Sequence, residues 1–73
     1  MDIYKKKDTY LVVSVETNQH MRWSNGDIFY AGSVEDALEG LPIDKFVAVP
    51  VCDAPQYVQK EYEQIIDKEL TNL

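Results

Sequence analysis

FVAVPVC, residues 46–52, is the longest uninterrupted apolar run in the chain, and polar segments flank it on both sides. A short apolar run of this kind is typical of a strand buried in a sheet. We therefore predict that the fold is organised around it, with Val47 and Val49 in the core. Because Pro50 lacks the N–H that a ladder hydrogen bond needs, pairing should end near it or the strand should lie at an edge. The far edge of this strand is then expected to be open.

Residues 9–16, TYLVVSVE, are rich in β-branched side chains and predict a second strand. Leu11, Val13 and Val15 would point to one side. Tyr10 and Val12 make the other side apolar as well. A strand that is apolar on both faces is usually central or has a second layer over it.

Asn25-Gly26 predicts a two-residue hairpin, because both central residues of a type I′ turn need positive φ and this pair adopts it readily. Such a hairpin would place Trp23 opposite Ile28 and Arg22 opposite Phe29. Side chains alternate between faces along a strand, so each face of the hairpin takes every second residue. The face predicted to enter the core carries Met21, Trp23, Ile28 and Tyr30.

Two helices are expected, one before the apolar run and one after it. Ser33 is a good N-cap for a short helix, and Gly40 followed by Pro42 would end it. A long helix over residues 53–71 would begin at Asp53 as its N-cap. Its apolar stripe consists of Val58, Tyr62, Ile65, Ile66 and Leu70.

These elements predict a small α+β domain with a mainly antiparallel sheet of about four strands in the order βββαβα. Residues 1–8 would be a charged N-terminal lead-in, and residues 9–73 a single α+β domain. A chain of 73 residues buries only about 60% of its unfolded surface. One Cys excludes an internal disulfide, so a well-packed core or a partner must supply the stability.

The chain is acidic, with thirteen acids against seven bases and a net charge of −6. An acidic surface repels nucleic acid and anionic lipid and favours association with basic surfaces. We therefore expect no direct nucleic acid binding and no membrane association, although the charge could serve solubility alone. No apolar stretch of about 7–15 residues follows the N-terminal lysines, as a signal peptide would require. A cytoplasmic location is expected.

No spacing in the sequence indicates catalysis, a cofactor or a metal site. His20 has no Ser, Cys or paired carboxylate at a defensible spacing. Cys52 precedes the long helix, whose N-terminus could activate a thiol, but a small buried side chain is the preferred interpretation. The glycines are too far apart for a phosphate-binding loop. We predict that the protein is not an enzyme.

Acidic side chains on both helices are the candidate partner-binding residues, with one basic and one aromatic residue of the hairpin as anchors. Solvated helix faces are the alternative explanation for the acids. The predicted set is Glu35, Asp36, Glu39, Glu61, Glu63, Arg22 and Phe29.

Residues 27–51, DIFYAGSVEDALEGLPIDKFVAVPV, contain a strand ending in an aromatic residue, then A-x-S-x-x-x-A-L-E, then a closing strand. This pattern resembles small phage-encoded inhibitors of bacterial RNA polymerase. It is similar to units of some anti-CRISPR proteins, and SVEDAL also resembles HicB-type antitoxins. The resemblance implies a phage-encoded inhibitor that binds a basic surface of a host protein, in the cytoplasm of the bacterial host. The alternative is a homodimeric antitoxin-like or structural regulatory subunit.

Overall fold

The computed structural model describes residues 6–71, with side chains described through residue 69. It contains, in chain order, β1 (Tyr10–Ser14), β2 (Tyr30–Ala31), α1 (Val34–Leu38), β3 (Phe46–Pro50) and α2 (Gln56–Thr71). A one-turn 3₁₀ helix (Val51–Asp53) joins β3 to α2. The predicted α+β class, with an antiparallel sheet and a C-terminal helix, is confirmed. Most of the predicted lead-in, residues 1–5, lies outside the described residues.

The central strand is β1, because the sheet has the order β2-β1-β3 and both pairings are antiparallel. Leu11 and Val12 are neighbours in the chain and both are fully buried. Since neighbouring side chains in a strand point to opposite faces, β1 is covered on both sides. The prediction for residues 9–16 is confirmed in this respect. The prediction that the fold is organised around residues 46–52 is wrong, and Val47, predicted in the core, is 41% exposed. The prediction that this strand lies at an edge of the sheet is confirmed.

The apolar strand β3 lies at an edge of the sheet. The Val51 N–H donates to the Thr9 carbonyl at 2.9 Å. Since hydrogen bonding alternates along an antiparallel pair, the odd-numbered residues of β3 are those whose backbone N–H and carbonyl groups point toward β1. Phe46, Ala48 and Pro50 therefore direct their backbone groups away from β1. The missing N–H of Pro50 costs no ladder hydrogen bond, which is why a proline is tolerated here.

The two helices cover opposite faces of the sheet. Side chains of α2 join the face of β1 that carries Leu11, whereas α1 contacts all three strands and buries Ala37. By alternation, α1 lies over the face that carries Val12. The predicted stripe of α2 is confirmed for its first four residues, and the Leu70 side chain lies outside the described part. The core on the α2 side comprises Leu11, Ile28, Val51, Ala54, Val58 and Tyr62.

Of the two predicted N-caps, one is confirmed. The Ser33 hydroxyl accepts a hydrogen bond from the Asp36 N–H at 3.1 Å, as an N-cap should. The predicted cap at Asp53 is wrong, because Asp53 belongs to the 3₁₀ helix. The first turn of α2 is tied to that helix instead by the Gln59 amide, which donates to the Ala54 carbonyl at 2.8 Å.

The hairpin has a three-residue loop, so the predicted two-residue type I′ turn is wrong. Trp23 N–H donates to the Asp27 carbonyl at 2.8 Å, and Arg22 bridges Ile28 rather than Phe29. Gly26 has a φ of +93°, whereas Asn25 is not in the positive-φ region. A glycine in this conformation at the end of a three-residue loop is a common hairpin form. The extra residue shifts the register by one, and Trp23 is 54% exposed instead of entering the core.

The predicted fourth strand is present only as isolated bridges within the described residues. His20 bridges Val13, and the Met21 N–H donates to the Val12 carbonyl at 2.8 Å. The same edge of β1 pairs Tyr10 and Leu11 with β2. Because two segments share one edge, neither extends into a full strand, and the hairpin projects from the sheet toward α2.

The two glycines that flank β2 provide a test of the loop geometry. Gly26→Ala should lower the free energy of unfolding by about 1–2 kcal/mol, because alanine is strained at positive φ, although an added Cβ would meet no atom within 4 Å. Gly32→Ala is the matched control, since its surroundings are equally open and its φ is not in the left-handed region. Urea denaturation measures both variants. Equal losses of unfolding free energy in the two variants would contradict the positive φ assigned to Gly26.

Candidate functional site

The predicted acidic partner-binding residues lie on two separate surfaces. Glu35, Asp36 and Glu39 are exposed on α1, whereas Glu61 and Glu63 belong to α2. Because the two helices cover opposite faces of the sheet, these carboxylates do not form one continuous patch.

Arg22 is held within the chain by Glu61. Its guanidinium donates to both carboxylate oxygens, at 2.7 and 3.0 Å, and also to the Gly26 carbonyl at 3.0 Å. This bidentate geometry clamps the hairpin to α2. The hydrogen bond from Arg22 lowers the pKa of Glu61. The role of Arg22 as a partner anchor remains a prediction, and three of its N–H donors already have acceptors in the fold.

Glu63 is also compensated by a base of its own chain. The Lys6 ammonium lies 3.0 Å from the Glu63 carboxylate and 3.4 Å from the Gln59 amide oxygen. The backbone of Lys6 accepts from the Cys52 N–H at 3.2 Å. The last part of the predicted lead-in is therefore fastened to the body of the domain.

The carboxylates of α1 have a different environment. Among the described residues no base lies within ion-pairing distance of Glu35, Asp36 or Glu39, and the last turn of α1 contains no base. Glu35 and Asp36 lie in the first turn, where the helix dipole favours negative charge. Glu39 is the C-cap, where the dipole disfavours it. Its charge is therefore not explained by helix stability.

Phe29 packs against the exposed Trp23. Their ring centroids are 4.9 Å apart with an interplanar angle of 62°, an edge-to-face arrangement. Phe29 is half-buried and supports the tryptophan. The two aromatic rings thus form one side of the projecting hairpin.

A cleft of about 440 Å³ lies between the hairpin and the second half of α2. We call it the hairpin–helix cleft. Apolar, aromatic and acidic side chains line it, and none of its aromatic or acidic residues was predicted as a site residue. It is lined by Ile28, Ile65, Trp23, Tyr30, Asp27 and Glu69, with Asn25 at the turn.

Tyr30 fixes one side of the hairpin–helix cleft. Its hydroxyl donates to the Glu69 carboxylate at 2.8 Å, and its ring meets Tyr62 edge-to-face at 5.3 Å. Burial and then the Glu69 carboxylate raise the pKa of Tyr30 to about 12. The phenol is therefore a neutral donor at physiological pH. Tyr30 and Glu69 are 39 positions apart, so no local spacing rule links them.

Two smaller clefts, of about 290 and 310 Å³, share His20 and Tyr57. His20 is half-buried, and burial followed by the charge of Arg22 lowers its pKa. Both effects disfavour the charged imidazolium form of His20. His20 forms an isolated bridge with Val13 at the edge of β1.

Cys52 is exposed, so its predicted burial is wrong. The 3₁₀ helix directs Val51 into the core and leaves the thiol outside. Within residues 6–71, no cluster of three or more His, Cys, Asp or Glu side chains could hold a metal ion. In the same part of the chain, no helix is sufficiently long and apolar to span a membrane.

Comparison of the chain with protein-family models, with curated proteins and with solved structures finds no match. Its function is therefore inferred from the residues and their geometry.

The Arg22–Glu61 pair is testable by a double-mutant cycle with Arg22→Gln and Glu61→Gln. We expect a coupling energy of about 0.2–1 kcal/mol at pH 7, typical of an exposed ion pair. Because the fold lowers the pKa of Glu61, this stability is present above its unfolded value of 4.5 and is lost as pH falls through the lower folded value. Urea denaturation at neutral and acidic pH measures it.

The control cycle pairs Arg22→Gln with Glu35→Gln, whose carboxylate lies on the opposite side of the sheet. It should give no coupling at either pH. A coupling between Arg22 and Glu61 that survives protonation of the carboxylate would contradict the ion-pair assignment.

Proposed function

We propose that the protein is a non-enzymatic interaction module that binds a basic surface of another protein and thereby inhibits or regulates it. The resemblance of residues 27–51 to small phage-encoded inhibitors points to a bacterial host protein, such as RNA polymerase or a defence complex. A phage-encoded protein of this class would act in the host cytoplasm.

The observation that carries the proposal is the uncompensated charge of α1. Three exposed carboxylates within five consecutive residues repel one another, and their own chain supplies no base within 4 Å among the described residues. A basic partner surface would remove that repulsion and speed the encounter.

Glu39 supports the proposal further. At the C-cap of α1 a lysine would suit the helix dipole better than a carboxylate. A residue that is locally unfavourable for stability and exposed to solvent is a typical sign of a functional position. We therefore assign Glu39 to partner recognition together with Glu35 and Asp36.

The carboxylates of α2 contribute less to this proposed steering. Glu61 and Glu63 are each paired with a base of the chain, which weakens their field at a distance. They stay predicted partner-binding residues of the separate α2 surface, where a basic partner would have to displace their present ion pairs.

Affinity capture from bacterial lysate tests the proposal. The native chain should retain a stoichiometric partner with a basic surface at low salt and release it as salt screens the charges. The triple variant Glu35→Gln, Asp36→Asn, Glu39→Gln should lose at least about tenfold in affinity, since several charge contacts are removed together.

A control variant with the same change in net charge is Asp8→Asn, Glu16→Gln, Asp53→Asn, at exposed positions away from α1. It should retain the partner. Equal losses in the two variants would show that net charge alone matters, and absence of any stoichiometric partner at low salt would count against the whole proposal.

A second candidate function, a homodimeric antitoxin-like or structural subunit, is favoured by the edge strand β3. No strand pairs with its outer side among the described residues, and Phe46 and Ala48 each direct an N–H and a carbonyl outward. A second copy could add antiparallel to this edge, with both strands centred on Ala48.

Light scattering over a wide concentration range distinguishes this candidate. A homodimer should dissociate on dilution, and Ala48→Pro should shift it toward the monomer, because it removes an outward N–H without removing a bond to β1. If the native chain is monomeric at every concentration, the homodimer is excluded.

A further inference from the structure

The hairpin–helix cleft combines an apolar floor with aromatic and acidic walls. Ile28 is fully buried beneath it, and Ile65 packs against the same core. Its volume of about 440 Å³ is within the range of small-molecule and side-chain sites. Three properties of its walls indicate what it would hold.

The first property is an exposed aromatic ring that packs against a second ring. Trp23 is the single tryptophan of the chain and remains 54% exposed. Its edge-to-face contact with Phe29 restrains it, so little conformational freedom would be lost on binding. The face of an indole ring attracts cations through its quadrupole.

The second property is a carboxylate on each side of the floor. Asp27 is held by Asn25, whose side-chain amide donates to its carboxylate at 3.2 Å and whose oxygen accepts from its N–H at 2.9 Å. Glu69 accepts from the neutral Tyr30 hydroxyl at 2.8 Å. Neither carboxylate has a base within 4 Å among the described residues.

The third property is that no base is among the described residues that line the cleft. Arg22 is occupied by Glu61, and Lys68 lines a smaller neighbouring cleft that also contains Asp27. Neither base lines the hairpin–helix cleft itself. The cleft is therefore negatively charged.

We propose that the hairpin–helix cleft binds an arginine side chain presented by the basic partner. This inference rests on the proposed function, extends it from α1 to a second contact surface on the α2 side of the sheet, and names the chemistry that the partner must display. A guanidinium is planar, stacks on aromatic rings and donates two parallel hydrogen bonds to a carboxylate. Its aliphatic stem suits the isoleucine floor. The compact, strongly hydrated ammonium of lysine is not planar and interacts more weakly with the aromatic wall.

The test uses the full chain and a short peptide with arginine as its charged residue. Citrulline, which has a similar shape without the charge, replaces arginine in one matched peptide, and lysine replaces it in another. Trp23 emission reports binding directly, because the chain has no other tryptophan. The arginine peptide should give a saturable change and bind about tenfold more tightly than the citrulline peptide, with lysine in between.

The double variant Asp27→Asn, Glu69→Gln should weaken arginine-peptide binding about tenfold through loss of both charge contacts. The control pair Asp8→Asn, Glu16→Gln has the same net charge and should bind like the native chain. The single variant Glu69→Gln guards against a double variant that disturbs the hairpin, because Glu69 lies outside the turn. It should still weaken arginine-peptide binding severalfold. Equal binding of the arginine and lysine peptides, or equal weakening by the two pairs, would overturn the proposal.

Failure here is distinguishable from failure of the proposed function. If α1-dependent capture of a partner persists while the arginine peptide leaves Trp23 emission unchanged, the arginine site is wrong and the interaction module stands. If the peptide binds as expected but no partner is captured, the proposed function is wrong.

Discussion

Burial of β1 on both faces is the constraint on which the rest of the structure depends. Leu11 and Val12 point in opposite directions and both are completely buried, so one helix alone could not cover both faces of the strand. The chain meets this requirement with α2 on one side and the short α1 on the other. In a domain whose net stability is only several kcal/mol, removal of either layer would expose a large fraction of the core. The same arrangement separates the acidic surface of α1 from the carboxylates of α2.

The competition for one edge of β1 explains how the hairpin–helix cleft arises. Residues 10–11 of β1 pair with β2, while Val12 and Val13 interact with Met21 and His20. Residues 22–29, between these contacts, must leave the sheet, and the Arg22–Glu61 pair directs them onto α2. The three-residue loop then turns Trp23 outward, because the register is one residue away from that of a two-residue loop. A local choice of loop length thus determines the walls of a surface cleft.

Local signals in the sequence were sufficient for the class of fold, the Ser33 cap and the apolar stripe of α2. Each depends on the spacing of residues within about two helical turns or on the alternation of side chains between the two faces of a strand. The Asn25-Gly26 turn was misassigned because a glycine at positive φ suits both two- and three-residue loops. The organising role predicted for residues 46–52 was wrong because an apolar run need not be central or buried: β3 lies at an edge and its Val47 is 41% exposed. The cleft was missed because Tyr30 and Glu69 meet only through the tertiary fold.

The pairing of β1 with β3 also has a consequence for the order of folding events. Tyr10 pairs with Pro50 and Ser14 with Phe46, so the longest ladder of the sheet joins residues about thirty to forty positions apart. The hairpin, β2 and α1 all lie inside the loop that this pairing closes. None of them is long enough to persist alone in water, since single hairpins and one-turn helices are unstable. Their formation therefore depends on a non-local closure, and a chain of this topology folds more slowly than a helical bundle of equal length.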